Sequence, residues 1–349
     1  MKSIEKLVRK NILNLKPYTS ARDKFQDGIF LDANENAFGS VVKSSVKNLN
    51  RYPDPHQKEL REALSKLINV PSEKIFFGVG SDEIIDLSIR ILCEPGKSNV
   101  IIPSPTYGMY KVACEMNDVK VKSVPLDDNF DIDIDQVIQA FDNNTKMIFL
   151  CSPNNPTGNL LNADRIKKLA KSFEGIIFLD EAYIDFAQHG SFINQIEKFN
   201  NVIISRTFSK AWGLAGVRCG YCIADEFIIN LLFKVKAPYT LNKLTSHIVL
   251  KAISQSKKRD EIVQRILRKK ENLVYQLSQL KFVEKIYPSD ANFILVKMKN
   301  AESVFDYLNK NKIRVRMRSD DERIKDCLRI TVGTEKENNL LIKLLMEFE

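Results

Sequence analysis

The chain has 349 residues, enough for about two domains, and its 44% apolar and 28% charged residues are typical of a globular protein. No apolar run approaches the roughly 18 residues of a membrane helix, so we expect no association with a membrane. The net charge of +9 comes from basic residues scattered along the chain without a nucleic-acid-binding motif, which predicts no nucleic-acid partner and a basic surface suited to anionic substrates.

The first twenty residues carry apolar side chains at helical spacing. Ile4, Leu7, Val8, Ile12 and Leu15 recur every three or four positions between basic residues, without the long apolar core of a secretory signal. This spacing predicts a short amphipathic helix that docks on another surface. We expect residues 1–35 to form an N-terminal arm that packs with a smaller C-terminal domain.

Short apolar runs alternate with helical patterns from about residue 75 to residue 225. Several of these runs are continuously apolar, as in parallel strands that are covered on both faces. The alternation predicts an α/β domain over residues 36–250 with a mostly parallel sheet of seven strands. The predicted strands are Lys74–Phe77, Val100–Ile102, Val119–Val124, Met147–Cys151, Ile176–Asp180, Val202–Ser205 and Arg218–Ile223.

The pattern changes after about residue 240. A long charged helix is predicted over Lys257–Leu280, and the later runs follow a βαββα order that indicates a smaller α+β domain over residues 251–349. Ligands of open parallel sheets bind beyond the carboxyl ends of the strands, so we expect a site near the junction of the two domains.

The six cysteines are spread over the chain and indicate a reducing, cytoplasmic environment. Cys219-Gly-Tyr-Cys222 has the spacing of a redox or metal-binding pair. It lies in a strand-like run, however, and no second pair completes a zinc site. We therefore interpret the cysteines as small core residues and expect no metal.

Polar residues at three predicted strand ends suggest a Schiff-base site. Lys210 lies among small and hydroxyl residues, Asp180 ends a strand, and Asn155 lies in a polar turn. A desolvated lysine forms Schiff bases with carbonyl compounds, most often with pyridoxal phosphate. Asp180 would pair with the pyridinium nitrogen of that cofactor, while Tyr183 and Asn155 could reach the ring hydroxyl.

The phosphate of such a cofactor requires backbone donors and positive charge. The run Gly78–Asp82 leaves a strand and opens a helix, and the N-terminus of a helix binds anions. Arg218 adds a charge-assisted donor, and Tyr107 could stack on the ring. The other residues predicted to contact the phosphate are Gly80, Ser81, Asp82, Thr207 and Ser209.

Two sets of segments indicate a family. The first set is Ser152–Gly158, Leu179–Tyr183 and Lys210, and the second set is Leu15–Arg22, Leu31–Asn36, Arg51–Pro55 and Leu328–Thr334. The chain resembles the fold-type I pyridoxal-phosphate aminotransferases in the first set, and among them the histidinol-phosphate branch in the second, over nearly its whole length. Related aminotransferases also suggest cis geometry for Ser104-Pro105 and Asn155-Pro156.

The resemblance implies transamination between histidinol phosphate and 2-oxoglutarate in histidine biosynthesis, with Lys210, Asp180 and Tyr183 as catalytic residues. Lys210 would act as general base and then as general acid. The resemblance also implies a homodimer with shared sites, in which Tyr52 reaches the cofactor phosphate of the neighbouring subunit and the N-terminal arm adds to the interface. The implied substrate contacts are Tyr18, Asn34, Asn155, Arg316 and Arg329.

The choice of substrate depends on arginines near the C-terminus. Glutamate brings a carboxylate and histidinol phosphate brings a phosphate ester, and Arg329 could bind either anion bidentately. Arg316 would add charge for the phosphate, but Arg314 and Arg318 lie in the same strand-like run, and the residues leave open which arginine faces the pocket. An aromatic amino-acid aminotransferase and a threonine-phosphate decarboxylase are alternatives that share the cofactor residues. A transcriptional regulator with this fold would need an additional DNA-binding module.

Overall fold

The computed structural model describes residues 2–24, 28–319 and 321–348, which form two sheets with helices around them. The larger sheet contains β1 (Ile75–Gly78), β2 (Asn99–Ser104), β3 (Lys120–Pro125), β4 (Thr145–Cys151), β5 (Ile176–Asp180), β6 (Val202–Thr207) and β7 (Gly220–Ile223). The smaller sheet contains β8 (Val283–Ile286), β9 (Phe293–Met298), β10 (Arg316–Arg318) and β11 (Cys327–Thr331).

The described α-helices cover both sheets. They are α1 (Lys10–Leu13), α2 (Ala21–Lys24), α3 (Lys58–Ile68), α4 (Gly80–Leu92), α5 (Met109–Met116), α6 (Ile134–Gln139), α7 (Ala163–Ser172), α8 (Glu226–Val235), α9 (Lys243–Ile253), α10 (Ser256–Leu277), α11 (Ala301–Lys310) and α12 (Glu335–Phe348). Within the described ranges, no helix has the length and apolar character needed to span a bilayer.

The larger sheet is mostly parallel, which confirms the predicted α/β class. Its strand order is β1-β7-β6-β5-β4-β2-β3, and β7 pairs antiparallel with both β1 and β6. The ends of the predicted strands differ from the observed ones by at most two residues.

Two apolar cores explain why the strands of this sheet are continuously apolar. Ile177 and Leu179 of β5 point into the core that contains α3, α7 and α9, whereas Ile176 and Phe178 point into the core that contains α4, α5 and α8. Because each face is covered, neither set of alternate residues faces solvent.

The smaller sheet is antiparallel, in the order β10-β11-β9-β8. Ile294 and Leu328 lie on the face that packs against α10, α11 and α12. Leu295 and Arg329 are paired with each other on the opposite face. Strand β8 was absent from the predicted order of elements. The predicted boundary between the two domains, at residues 250 and 251, stays a prediction.

The N-terminal segment docks on the larger sheet's domain. Ile4, Val8 and Ile12 are buried in the same core as α4 and α8, and the Arg9 amide donates to the Ile91 carbonyl at 3.0 Å. For these residues, the expected packing of residues 1–35 with the smaller domain is wrong. The physical reason is that α4 and α8 present the apolar surface that the three side chains need.

Candidate active site

One cavity lies where the polypeptide leaves β4, β5 and β6. Because these parallel strands end at the same edge of the sheet, segments that are distant in sequence converge there. The cavity gathers most of the predicted cofactor residues. It is lined by Ser81, Asp82, Tyr107, Asn155, Asp180, Tyr183, Thr207, Ser209, Lys210 and Arg218, together with Cys151, Ala182 and Ala215.

Lys210 lines this cavity, and its side-chain nitrogen lies 5.3 Å from the centre of the Tyr183 ring. The pKa of Lys210 is lowered, first because surrounding protein displaces water and then because the guanidinium of Arg329 is near. The carboxylates of Asp180 and Asp82 oppose this change. A lowered pKa raises the fraction of neutral amine, which is the nucleophilic form of lysine.

Asp180 ends β5 and is only 3% exposed. Its Oδ2 accepts a hydrogen bond from the Tyr110 hydroxyl at 2.7 Å, and its Oδ1 accepts one from the Ala182 amide at 3.0 Å. Burial raises the pKa of Asp180 to about 6, while both hydrogen bonds favour the charged form. Tyr110 was missing from the predicted site, although it follows Tyr107 by three positions in the sequence and lies in the first turn of α5.

The predicted anion site is the segment where β1 leads into α4. Gly80 adopts a φ of +75°, and a Cβ there would come within 2.8 Å of Arg218 Nη2. A Cβ on Gly220 would come within 2.6 Å of the Ser81 amide nitrogen. The guanidinium of Arg218 also lies 3.6 Å from the Asp82 carboxylate. The two glycines thus let β7 and Arg218 approach the N-terminus of α4 closely.

The smaller sheet contributes Arg329 to the same region. Its guanidinium donates a hydrogen bond to the side-chain oxygen of Asn155 and lies 5.4 Å from the centre of the Phe293 ring. Phe293 in turn contacts the ring of Tyr183 edge to face, with the ring centres 5.1 Å apart. These contacts join the smaller sheet to the loops that surround Lys210.

The structure separates the three arginines of the β10 region. Arg316 is directly opposite Arg329 in the antiparallel register, so both side chains leave the same face of the sheet. Arg318 lies two positions further along the strand and shares that face. Arg314 is directed elsewhere, because its guanidinium donates to the backbone and side-chain oxygens of Asn309 on α11, both at 2.8 Å.

A buried ion pair beside Asp180 was also absent from the predicted site. Glu181 accepts hydrogen bonds from Arg206 Nε and Nη2 at 3.0 and 2.8 Å, and from the Phe192 amide at 2.6 Å. The pair ties the end of β5 to β6. The sequence did contain a signal for this pair, because Glu181 and Arg206 are opposite charges at the ends of two neighbouring apolar runs.

A sequence model of the family described as aminotransferase class I and II matches residues 17–345, a span that includes every residue of the cavity. The chain belongs to the class I and II aminotransferases.

Individual aminotransferases resemble the chain closely. The histidinol-phosphate aminotransferase of Cytophaga hutchinsonii is 47% identical over 348 residues, which is 99% of each chain. The crystal structure of the histidinol-phosphate aminotransferase from Clostridium acetobutylicum has a TM-score of 0.79 and 25% identity, covering 86% of this chain and 91% of that one. The enzyme of the same name from Sinorhizobium meliloti, solved with pyridoxal 5'-phosphate, has a TM-score of 0.78 and 22% identity over 91% of this chain and 90% of that one.

Pyridoxal phosphate is the cofactor of this aminotransferase, and the residues of the cavity fit it. The buried carboxylate of Asp180 suits a cationic ring nitrogen, and the amine of Lys210 suits the aldehyde. The N-terminus of α4 and the guanidinium of Arg218 suit the phosphate, which requires donors and positive charge.

Six predicted residues are not part of the lining of this aminotransferase cavity in the single chain. Gly80 and Arg329 adjoin it, next to Ser81 and through the hydrogen bond to Asn155, and the others are Tyr18, Asn34, Tyr52 and Arg316. Tyr18 is 77% exposed. Tyr52 stacks on Tyr239 with ring centres 4.4 Å apart, and Tyr52 and Asn34 line a different cavity that also includes Lys243. Their predicted roles at the cofactor or the substrate therefore stay predictions.

Proposed function

We propose that this aminotransferase transfers an amino group between histidinol phosphate and 2-oxoglutarate, with imidazole acetol phosphate and glutamate as products, in histidine biosynthesis. The observation that carries the proposal is the 47% identity to the Cytophaga histidinol-phosphate aminotransferase over 99% of both chains. The cavity that combines Lys210 with Asp180 supports transamination as the type of reaction.

The proposed roles of the residues follow from their positions. When bound, pyridoxal phosphate supplies an electron-withdrawing ring that stabilises negative charge on the substrate α-carbon. Lys210 Nζ removes the proton from that carbon and returns it at the cofactor carbon, as general base and then as general acid. Asp180 holds the ring nitrogen protonated, and Tyr183 and Asn155 orient the ring hydroxyl.

One site must accept two different anions in turn, a carboxylate of glutamate and the phosphate of histidinol phosphate. Arg329, held by Asn155, presents a planar guanidinium that can bind either anion through two hydrogen bonds. Arg316 emerges opposite Arg329 on the same face and adds the second positive charge that a phosphate dianion favours. This arrangement supports a phosphorylated substrate over an aromatic one.

Steady-state kinetics test the proposed substrate. Each amine is supplied with 2-oxoglutarate, and histidinol phosphate is compared with phenylalanine; threonine phosphate is assayed separately for release of carbon dioxide. We expect kcat/KM for histidinol phosphate to exceed the value for phenylalanine by at least about 100-fold, because a site that pairs with a phosphate rejects a substrate without one. Threonine phosphate carries a phosphate as well, and for it we expect no release of carbon dioxide. Higher kcat/KM with phenylalanine or threonine phosphate would replace the proposal with the corresponding alternative.

We propose further that the enzyme is a homodimer with shared active sites. Apolar side chains between residues 28 and 42 are exposed in the single chain, and a cluster of this kind is typical of a protein interface. They are Ile29, Leu31, Phe38, Val41 and Val42. Tyr52 lies in the next segment and is 47% exposed, so its ring is accessible to a second copy.

A cytoplasmic location is the remaining part of the proposal. All six cysteines are buried and free, including Cys219 and Cys222 of the Cys-x-x-Cys run. Free buried cysteines of this kind are typical of proteins from a reducing compartment.

A further inference from the structure

Tyr110 lies beneath the cavity and has no role in the proposed mechanism. Its side chain is fully buried. Its ring stacks on Phe149 with centres 5.0 Å apart and contacts Tyr107 edge to face at 5.4 Å. This packing fixes the ring so that its hydroxyl donates to Asp180 Oδ2 at 2.7 Å.

The Asp180 carboxylate is thereby held at both oxygens. The Tyr110 hydroxyl binds one oxygen, and the Ala182 amide binds the other at 3.0 Å, so the plane of the carboxylate has one orientation. Both donors are neutral. They stabilise the negative charge without cancelling it, which leaves that charge for a cationic group in the cavity.

We propose that Tyr110 is a positioning residue that keeps Asp180 charged and correctly oriented for the ring nitrogen of the cofactor. The inference rests on the role proposed above for Asp180, but it does not depend on the identity of the amino substrate. The inference is supported by the fixed ring of Tyr110, its 2.7 Å hydrogen bond to Asp180 and the burial of both residues.

The electrostatics of the site agree with this role. Burial raises the pKa of Asp180 to about 6, and the hydrogen bond from Tyr110 is the largest influence that opposes the rise. Burial also raises the pKa of Tyr110 well above its ordinary value, so the phenol keeps its proton and remains a donor over the working pH range. The titratable groups around Asp180 are Asp82 on α4, Tyr107 and Tyr110 at α5, Cys151 at the end of β4, and Tyr183 and Lys210 in the following loops.

The titration of Asp180 tests the proposal without any catalytic assay. Full-length protein freed of cofactor is labelled with ¹³C at aspartate carboxyl carbons, and the Asp180 resonance is assigned from its loss in Asp180→Asn. In Tyr110→Phe we expect the midpoint of this titration to rise by about one to two pH units, the effect of one hydrogen bond to a charged group. Tyr221→Phe is the matched control, because Tyr221 is also a buried tyrosine, 3% exposed, and lies on β7 outside the lining of the cavity. An unchanged Asp180 midpoint in Tyr110→Phe overturns the proposal.

A second variant keeps the proposal testable if Tyr110→Phe does not fold. Replacement of Tyr110 by 3-fluorotyrosine preserves the ring and makes the phenol a stronger donor, so the Asp180 midpoint is expected to fall. A midpoint that rises or stays constant counts against the role of Tyr110. Neither measurement uses a substrate. Failure to turn over histidinol phosphate would refute the proposed function and leave the inference about Tyr110 standing. An unaltered Asp180 titration in an enzyme that turns over histidinol phosphate would refute the inference about Tyr110 and leave the proposed function standing.

Discussion

Arg316 and Arg329 lie directly opposite each other on β10 and β11, so both guanidinium groups leave the same face of the smaller sheet. Arg329 is fixed by its hydrogen bond to Asn155, at the edge of the cavity that contains Lys210. The pair therefore combines one arginine anchored at the cavity with a second, exposed arginine beside it. This combination suits an enzyme that must accept anions of different size and charge.

Arg316→Ala should affect the two amino donors unequally. Loss of one charge-assisted contact is expected to lower kcat/KM for histidinol phosphate about 10- to 100-fold, while the value for glutamate changes less than about threefold. Arg314→Ala is the matched control, because its guanidinium is bound to Asn309 and should leave both values unchanged. Equal losses for both donors in Arg316→Ala would count against a phosphate contact.

Lys210→Ala should abolish turnover and the visible absorption band that the cofactor shows when it is bound covalently, because no other residue of the cavity lining is a lysine. Lys251→Ala removes an exposed lysine on α9 and should preserve both properties. Absorption spectra and steady-state rates provide the two measurements. A Lys210→Ala variant that retains the band and the activity is incompatible with the assigned role.

Asp180 should make the stability of the cofactor-free protein depend on pH. Its pKa is about 6 in the folded protein and about 3.9 in an unfolded chain, so the folded state holds the proton more tightly. The resulting stabilisation is fully present below pH 4 and is lost as the pH rises through 6, a change of about 3 kcal/mol. Urea unfolding of wild type and Asp180→Asn at several pH values isolates this contribution. A difference in unfolding free energy that is constant between pH 4.5 and 7.5 would contradict it.

Gly220→Ala should weaken cofactor binding by disturbing the start of α4. The added Cβ would lie 2.6 Å from the Ser81 amide nitrogen, so β7 or the helix N-terminus must move. We expect the dissociation constant of pyridoxal phosphate to increase at least about tenfold, because the helix N-terminus would lose its fixed position. Gly216→Ala is the control, since a Cβ there meets no atom within 4 Å. Equal affinities of the two variants would argue against an anion site at this turn.

A hybrid dimer should reveal whether Tyr52 acts across subunits. Lys210→Ala and Tyr52→Phe are each expected to impair every site of their homodimers. If Tyr52 serves the neighbouring subunit, the hybrid of the two variants contains one intact site and regains about half of the wild-type activity. If Tyr52 serves its own subunit, no hybrid site is intact. The two variants carry different tags, and the hybrid is purified through both tags. Its activity therefore decides between shared and independent active sites.

The fold and the cofactor were largely predictable from local features of the sequence. Runs such as Ile176–Leu179 are continuously apolar because they are covered on both faces, and this property appears in the residues themselves. The cis geometry of Ser104-Pro105 and Asn155-Pro156 is confirmed, and Ser152-Pro153 is also cis. The docking surface of the N-terminal segment was predicted wrongly, because an amphipathic pattern shows which residues are buried and not what covers them.

The sequence by itself determined the class of the sheet and the cofactor, and it predicted Lys210 as the lysine that binds this cofactor, since the periodicity of apolar residues and the chemistry of Lys210 and Asp180 are properties of short segments. Only the tertiary structure decided that Arg316, and not Arg314, stands beside Arg329, and that Tyr110 supports Asp180. The register of β10 against β11 and the approach of α5 to β5 depend on packing between distant segments. No periodicity within one segment specifies such contacts.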